Sequence, residues 1–236
     1  MSLHAHQPLD DPIWRALNTA HAELALGGKQ ARRYPSRIGP LSGLADQSDA
    51  AYGELRELAG SNGIIVLFLQ EAPQPRAGWT LVREGPLVQM VCEKPPTEPF
   101  PPLSQSATLR SLTASDSPAM VELATLTEPG PFREGTHELG GFYGIFEDER
   151  LVSMAGQRMR VPGYVEVSAV CTHPDVRGRG YARTLMLRVM ADIRAEGLTP
   201  FLHTWAFNHN AIRVYTGLGF VLRHSMHVAV LRNDRA

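Results

Sequence analysis

Arg177-Gly178-Arg179-Gly180 stands directly behind an apolar run and directly ahead of an amphipathic one, with Arg183 three positions further on. Two glycines so close together let the backbone turn through unusual φ values and let a ligand approach its N–H groups. A helix that starts there leaves its first N–H groups without intrahelical acceptors and carries partial positive charge at that end. The arginines add fixed charge. Together these features suit an anion held on the backbone, and a diphosphate is the natural guest. The two common nucleotide signatures do not fit. A dinucleotide fingerprint needs a third glycine, but Tyr181-Ala182-Arg183 follows, and the next strand-like run ends in Thr204-Trp205 instead of an acid. A P-loop needs Gly-Lys-Ser/Thr, which the chain lacks.

The elements that must position this turn are legible. Residues 164–172 alternate as a strand, with Val165, Val167, Ala169 and Cys171 on one face. Tyr164, Glu166, Ser168, Val170 and Thr172 share the other. The helix behind the turn carries Tyr181, Leu185, Val189 and Ile193 on one stripe and stops at Glu196-Gly197, glycine being a preferred helix terminator. Further on come a strand from Pro200, a short helix over 210–216 and a terminal strand to about Arg232. Upstream, 107–126 predicts a short strand and a helix from about Ser115 with Asp116 in its first turn. A hairpin follows, turning at Glu147-Asp148-Glu149.

Pro95, Pro96, Pro99, Pro101 and Pro102 crowd one segment, and proline removes ladder donors and favours extended neighbours. Residues 95–105 therefore read as a linker between an N-terminal α+β domain, 1–94, and a mixed α/β domain, 106–236. In the first part, Asp11-Pro12 opens a helix expected to extend through Ile13, Leu17, His21 and Leu24. A second helix covers about 48–59, and three strands follow: "GIIVLFLQ", "GWTLVRE" and "PLVQMVCE". Arg32, Arg33 and Arg37 read as a solvated basic face.

The segment Arg177-Gly178-Arg179-Gly180-Tyr181-Ala182 resembles motif A of the GNAT superfamily of acetyl-CoA-dependent N-acetyltransferases, the [Q/R]-x-x-G-x-[G/A] turn that cradles the pyrophosphate of acetyl-CoA. "NHNAIRVYTGLGF" resembles motif B, with Asn208, Ala211, Tyr215 and Gly219-Phe220 in register, and "TLRSLTASD" is similar to the family's opening strand and helix. The resemblance covers about residues 106–236. It implies a twisted mixed sheet flanked by helices, with acetyl-CoA as co-substrate, no metal, and CoA lying where the motif A strand parts from the strand ending at Trp205. It also implies that the N-terminal half is a degenerate domain of the same type or a helper.

The resemblance assigns roles residue by residue. Tyr215 would donate a proton to the departing thiolate. The Val170 backbone N–H would polarise the acetyl carbonyl, and Cys171 and Thr172 would continue that stretch along the pantetheine arm. Arg177, Gly178, Arg179, Gly180, Tyr181 and Ala182 would hold the pyrophosphate, and Asn208 would contact the pantetheine or cap its helix. Glu166 is the candidate base, with a surface glutamate on a strand face, or a buried one paired with an arginine, as its structural alternatives. A base matters because a lysine-type amine is neutral in only about one molecule in 2,500 at pH 7, against roughly one in six for a peptide α-amine. The Cys171 side chain, expected opposite Glu166, reads as core. Phe132, Tyr143 and Trp205 are candidates to line an acceptor pocket.

Composition narrows the class further. The 236 residues carry 43% hydrophobic and 20% charged side chains with a formal net charge of −1. That lacks the basic excess of a nucleic-acid binder. Two distant cysteines, no leader-like start and no apolar run near ~20 residues read as cytoplasmic, without a membrane anchor. The expected function is acetylation of a primary amine of a small molecule such as an amino acid, with a homodimer face as a candidate role for the N-terminal half. Two rival readings are a non-catalytic acyl-CoA-binding regulator and an acetyltransferase of protein N-termini or lysines.

Overall fold

A computed structural model describes residues 8–94 and 102–235, so the expected linker lies largely outside the described residues, as does the tail with His4 and His6. The helices are Pro12–Asn18 (α1), Asp49–Ala59 (α2), Ser117–Thr127 (α3), Tyr181–Ala195 (α4) and His209–Gly217 (α5). Three short strands, Leu26–Gly27 (β1), Ala31–Arg33 (β2) and Ser42–Leu44 (β3), form a small antiparallel sheet. The rest are Ile64–Leu69 (β4), Trp79–Val91 (β5), Ala107–Leu112 (β6), Phe142–Glu147 (β7), Arg150–Val161 (β8), Tyr164–Thr172 (β9), Thr199–Trp205 (β10) and Val221–Asn233 (β11).

These eight make one sheet in the order β4-β11-β5-β10-β9-β8-β7-β6, and only β9 and β10 are parallel. The mixed α/β architecture follows the expectation. The strands on either side of the seam, however, do not form separate sheets: β5 lies between β10 and β11. Its Met90 and Cys92 beyond it share a core cluster with Leu185 and Val189 of α4, while Leu9 and Ile13 of the N-terminal part pack with Met159 and Phe201.

Two strands were expected where β5 runs unbroken through Gly85-Pro86. Both residues fit the pairing. Pro86 stands just beyond the end of the β10 ladder, which stops at Trp205 opposite Leu87, so its missing N–H falls near a strand edge. A Cβ on Gly85 would come within 2.9 Å of the Trp205 ring. Helix α1 is shorter than expected and ends at Asn18. The side chains of Asn18 and Thr19 donate to the carbonyls of Trp14 and Arg15, at 2.8 and 2.6 Å, a local bonding that competes with helix continuation. His21 then turns inward to Tyr34 Oη at 2.7 Å. The basic face is also corrected. Arg33 is buried and donates to the carbonyls of Leu58 and Tyr34, Arg32 reaches Leu17 O, and Arg37 pairs with Glu138.

The helix starts carry recognisable caps. Ser48 accepts from Ala51 N at the head of α2, and Asp116 forms a capping box with Thr113 ahead of α3 while pairing with Arg110. At the foot of α4, Gly197 N donates to Arg194 O and Leu198 N to Ile193 O, the two bonds of a glycine-terminated helix end. Among the described residues no helix is long and apolar enough to cross a membrane.

The shared sheet makes a firm prediction. A fragment holding residues 102–236 alone lacks β5, which leaves facing edges of β10 and β11 unpaired. It should be unfolded or aggregated by circular dichroism and size-exclusion chromatography, and co-expression with residues 1–94 should restore a cooperative melt.

Candidate active site

The turn behind β9 is built as its residues suggest. Gly178 and Gly180 both have φ +81°, a region closed to most side chains, and Gly180 caps α4 without a side-chain bond. Thr184 N closes the first helical turn on Gly180 O at 3.0 Å. The backbone N–H groups of residues 178 to 182 donate to no described residue. A Cβ on Gly178 would meet nothing within 4 Å, so the loop is open to solvent there. Five successive free amides at a helix start form an anion cradle. The arginines are partly committed elsewhere: Arg177 Nε reaches Thr172 O at 3.4 Å, and Arg179 pairs with Glu147 at 2.9 Å. Tyr181 is buried, with its hydroxyl on Glu147 and Ser104, so it anchors α4 by its side chain and offers only its backbone to a ligand.

Beside the cradle the sheet opens. The parallel ladder of β9 with β10 spans Tyr164–Thr199 to Glu166–Phe201 and then stops. From residue 167 onward β9 is paired only with β8, so a wedge-shaped gap separates it from Leu202–Trp205. Within the free stretch, Ala169 has φ +52° and the β8 register slips between Met154 and Gly156. This is a β-bulge, and it re-aims every later side chain. The expected alternation is therefore corrected. Val165, Val167 and Val170 face the cluster under α4, whereas Ala169 and Cys171 pack with Met120 and Leu123 of α3, on the Glu166 side. Cys171 is buried and burial pushes its thiol up to about 11, so it serves the core and meets a ligand only through its main chain. The Thr172 hydroxyl is engaged with Ser153 at 2.7 Å.

Glu166 does not sit as a free base. It is fully buried, and Arg158 donates to both its oxygens, each at 2.7 Å. His203 Nδ1 adds a third bond at 2.7 Å. Burial opposes the charge, but the Arg158 guanidinium and these hydrogen bonds outweigh it and hold the carboxyl down at about 2. A carboxylate so stabilised has little appetite for a proton. His203 is kept below its usual range, chiefly by burial, despite Glu166. Its neutral form donates from Nδ1 and accepts at Nε2 from Gln89 Nε2, 3.0 Å away. Gln89 Oε1 accepts from Arg223, which also binds Asp10. A polar chain thus crosses the protein from Asp10 to Arg158. The sequence reading missed Arg158 and His203. An arginine inside the apolar run of β8 and a histidine inside that of β10 were the available signals, since a buried charge must find a partner.

Tyr215 lies on α5, whose start is capped by Asn208 Oδ1 accepting from Ala211 N at 3.2 Å. Its ring meets Phe220 edge-on at 6.3 Å and packs against the same cluster as Val170. Its hydroxyl bonds to no described residue, and burial pushes its pKa up to about 12. The structure therefore groups Val170, Tyr181 and Tyr215 on the α4 side and sets Glu166 on the other face. Of the three aromatic candidates, Phe132 lines a cavity beside the bulge. Trp205 stacks on Phe207, and Tyr143 binds Asp192 and Arg188 on α4.

An anion cradle next to a parted pair of parallel strands can take a ligand with a phosphate end and an extended arm. The profile of the family described as FR47-like protein matches residues 142–228. A crystal structure of a GNAT-family protein from Novosphingobium aromaticivorans, assigned as an acetyltransferase, is 38% identical, covers 95% of this chain and 98% of its own, and superposes with a TM-score of 0.84. A GCN5-related N-acetyltransferase from Kribbella flavida shares the fold at 15% identity, with 97% of each chain covered and a TM-score of 0.64. A tandem GNAT protein from the clavulanic acid biosynthesis pathway does so at 14%, covering 87% and 82%, with a TM-score of 0.57. No curated protein matches in sequence. The chain belongs to the GNAT family and is an acyltransferase.

The buried pair predicts an acid-sensitive fold. Glu166 ionises at about 2 when folded against 4.5 in the open chain, so its stabilisation is present above about pH 4.5 and is lost as pH falls towards 2. His21, lowered to about 4 mainly by burial, and His203 act in the same direction from about pH 6.5 downward, because the unfolded chain takes up their protons first. Chemical denaturation between pH 7 and pH 3 should show stability falling steadily. At neutral pH, Glu166→Gln should cost about 3–5 kcal/mol, since it strands a buried arginine charge.

Proposed function

We propose that this protein transfers the acetyl group of acetyl-CoA to the primary amine of a small molecule, amino acids being the first candidates. The observation that carries the reading is the row of unpartnered amides from residue 178 to 182 at the mouth of the β9–β10 gap. The amides would hold the pyrophosphate, and the gap would receive the pantetheine arm so that it completes the sheet where β10 departs. The Val170 N–H, on the free stretch behind the bulge, is the donor for the thioester carbonyl and the oxyanion that follows. Asn208 keeps the head of α5 in place and with it Tyr215.

Tyr215 retains its proton throughout the neutral range. Full transfer to a thiolate of ordinary pKa, about 8.5, is uphill by roughly 5 kcal/mol from a phenol at about 12. Its contribution is thus a hydrogen bond that strengthens as negative charge grows on sulphur, with transfer completed only once the C–S bond is broken. With Glu166 locked to Arg158, no strong base faces the amine from β9. Water must then take the proton that the ammonium loses, which is easier for an α-amine than for a more basic lysine side chain. That argues against a lysine side chain, which needs far more help to deprotonate.

Free-thiol release from acetyl-CoA, followed across amino acids, polyamines, aminoglycosides and peptides, tests the reading. One class of small amine should drive turnover. Tyr215→Phe should lower kcat about 100-fold with little change in KM for acetyl-CoA. Binding of acetyl-CoA without acetylation of any amine would turn the assignment towards a regulatory acyl-CoA receptor.

A further inference from the structure

Positive charge continues past the cradle into the seam between α4 and α5. From Arg177 to Ala191, and again from Gly197 to Asn233, the chain contains no Asp or Glu, although its formal net charge is only −1. All of α5, and α4 as far as Ala191, therefore carry arginines without acids of their own. Three of these arginines have been accounted for. Arg177 reaches Thr172 O, Arg179 pairs with Glu147, and Arg188 pairs with Asp192. Arg183 and Arg213 belong to no such pair with a described acid, and neither stands at a position that motif A or motif B specifies.

Arg183 lies in the first turn of α4, one residue past the last amide of the cradle. Its Nη1 approaches Gly217 O, at the end of α5, at 3.4 Å, and would lie 3.7 Å from a Cβ on Gly217. The guanidinium is thus held at a helix C-terminus, where the carbonyls favour a cation. Arg213 stands four residues before Gly217, so it shares that side of α5, about 6 Å along the axis. It is exposed and donates to no described residue. That spacing is less than the length of an arginine side chain, so both forks can close on one group. Two cations set together repel, and no carboxylate of α5 or of the head of α4 offsets them. An anion with several oxygens would complete the arrangement, since the planar fork matches phosphate geometry.

We infer that Arg183 and Arg213 form a second anion subsite, which takes the phosphate monoester on the ribose of the donor, so that the protein distinguishes a 3′-phosphorylated donor from one without that group. This rests on the acetyl-CoA reading of the cradle and deepens it. The free amides at 178–182 suit a diphosphate, which any nucleotide-linked thioester offers. The arginine pair reads the group by which CoA differs from its dephosphorylated form. A monoester of this kind carries close to two negative charges at pH 7, enough to engage both forks.

Isothermal titration calorimetry with acetyl-CoA and 3′-dephospho-acetyl-CoA, with no acceptor present, tests the subsite. Acetyl-CoA should bind at least about 10-fold more tightly, the scale of a hydrogen bond between charged groups. The quantity compared is the ratio of the two Kd values, which cancels any effect common to both ligands. Arg213→Ala, a change on an exposed helix surface, should bring that ratio close to one, and Arg183→Ala should lower it as well. Arg232→Ala removes a positive charge at the far end of β11 and should preserve it. A wild-type ratio near one would overturn the inference and leave the acetyl-CoA reading standing. A ratio unchanged in Arg213→Ala, or lowered equally by Arg232→Ala, would overturn it too, the second being the behaviour of diffuse charge. If neither ligand binds, the cradle is not a donor site and the subsite falls with it.

Discussion

The site depends on a pairing that stops early. β9 and β10 share a parallel ladder for three residues and then part, and the groups proposed at the transfer point border the gap that results. Two local devices keep it open. The bulge at Ala169 bends β9 away and re-aims its later side chains, and the Gly178–Gly180 turn starts α4 with its amides facing outward. Neither device would survive an ordinary residue in an ordinary conformation. The opposite side of β10 is held rigid by five residues of antiparallel pairing with β5, so the gap has one fixed wall.

The second organising interaction is the Arg158–Glu166 pair. Two buried charges are expensive to desolvate, and they persist here because the geometry is bidentate and the remaining carboxylate contact is filled by a neutral histidine. The pair fixes the two side chains against each other through both carboxylate oxygens. It also ties β8, β9 and β10 together on one face, at the last residues before the strands diverge.

Local signals in the sequence were reliable, and long-range ones were not. The Gly178–Gly180 turn, the α4 stripe, the α2 helix and the Glu147–Glu149 hairpin all lie within a few residues of their causes, and each is where it was expected. Asn208 capped its helix for the same reason. The alternation in β9 failed at Ala169 because nothing in a small apolar residue announces a bulge. The partners of Glu166 were not legible because they sit on two other strands. The seam of prolines pointed to a division, yet pairing between β5 and its neighbours is decided by residues more than a hundred positions away. Period and composition do not carry that information.

That placement of β5 bears on how the chain reaches its fold. Synthesis delivers β5 long before either of its neighbours, and Trp79 must wait for Asn233, close to the C-terminal end. Contacts this distant close large loops before they return any energy, which slows folding. Until then Leu87, Val88, Met90 and Val91 are an apolar segment without its strand neighbours, the kind that associates with its copies. The protein emerging from the ribosome is therefore most exposed to aggregation while β5 is unpaired, and it escapes only when β11 arrives.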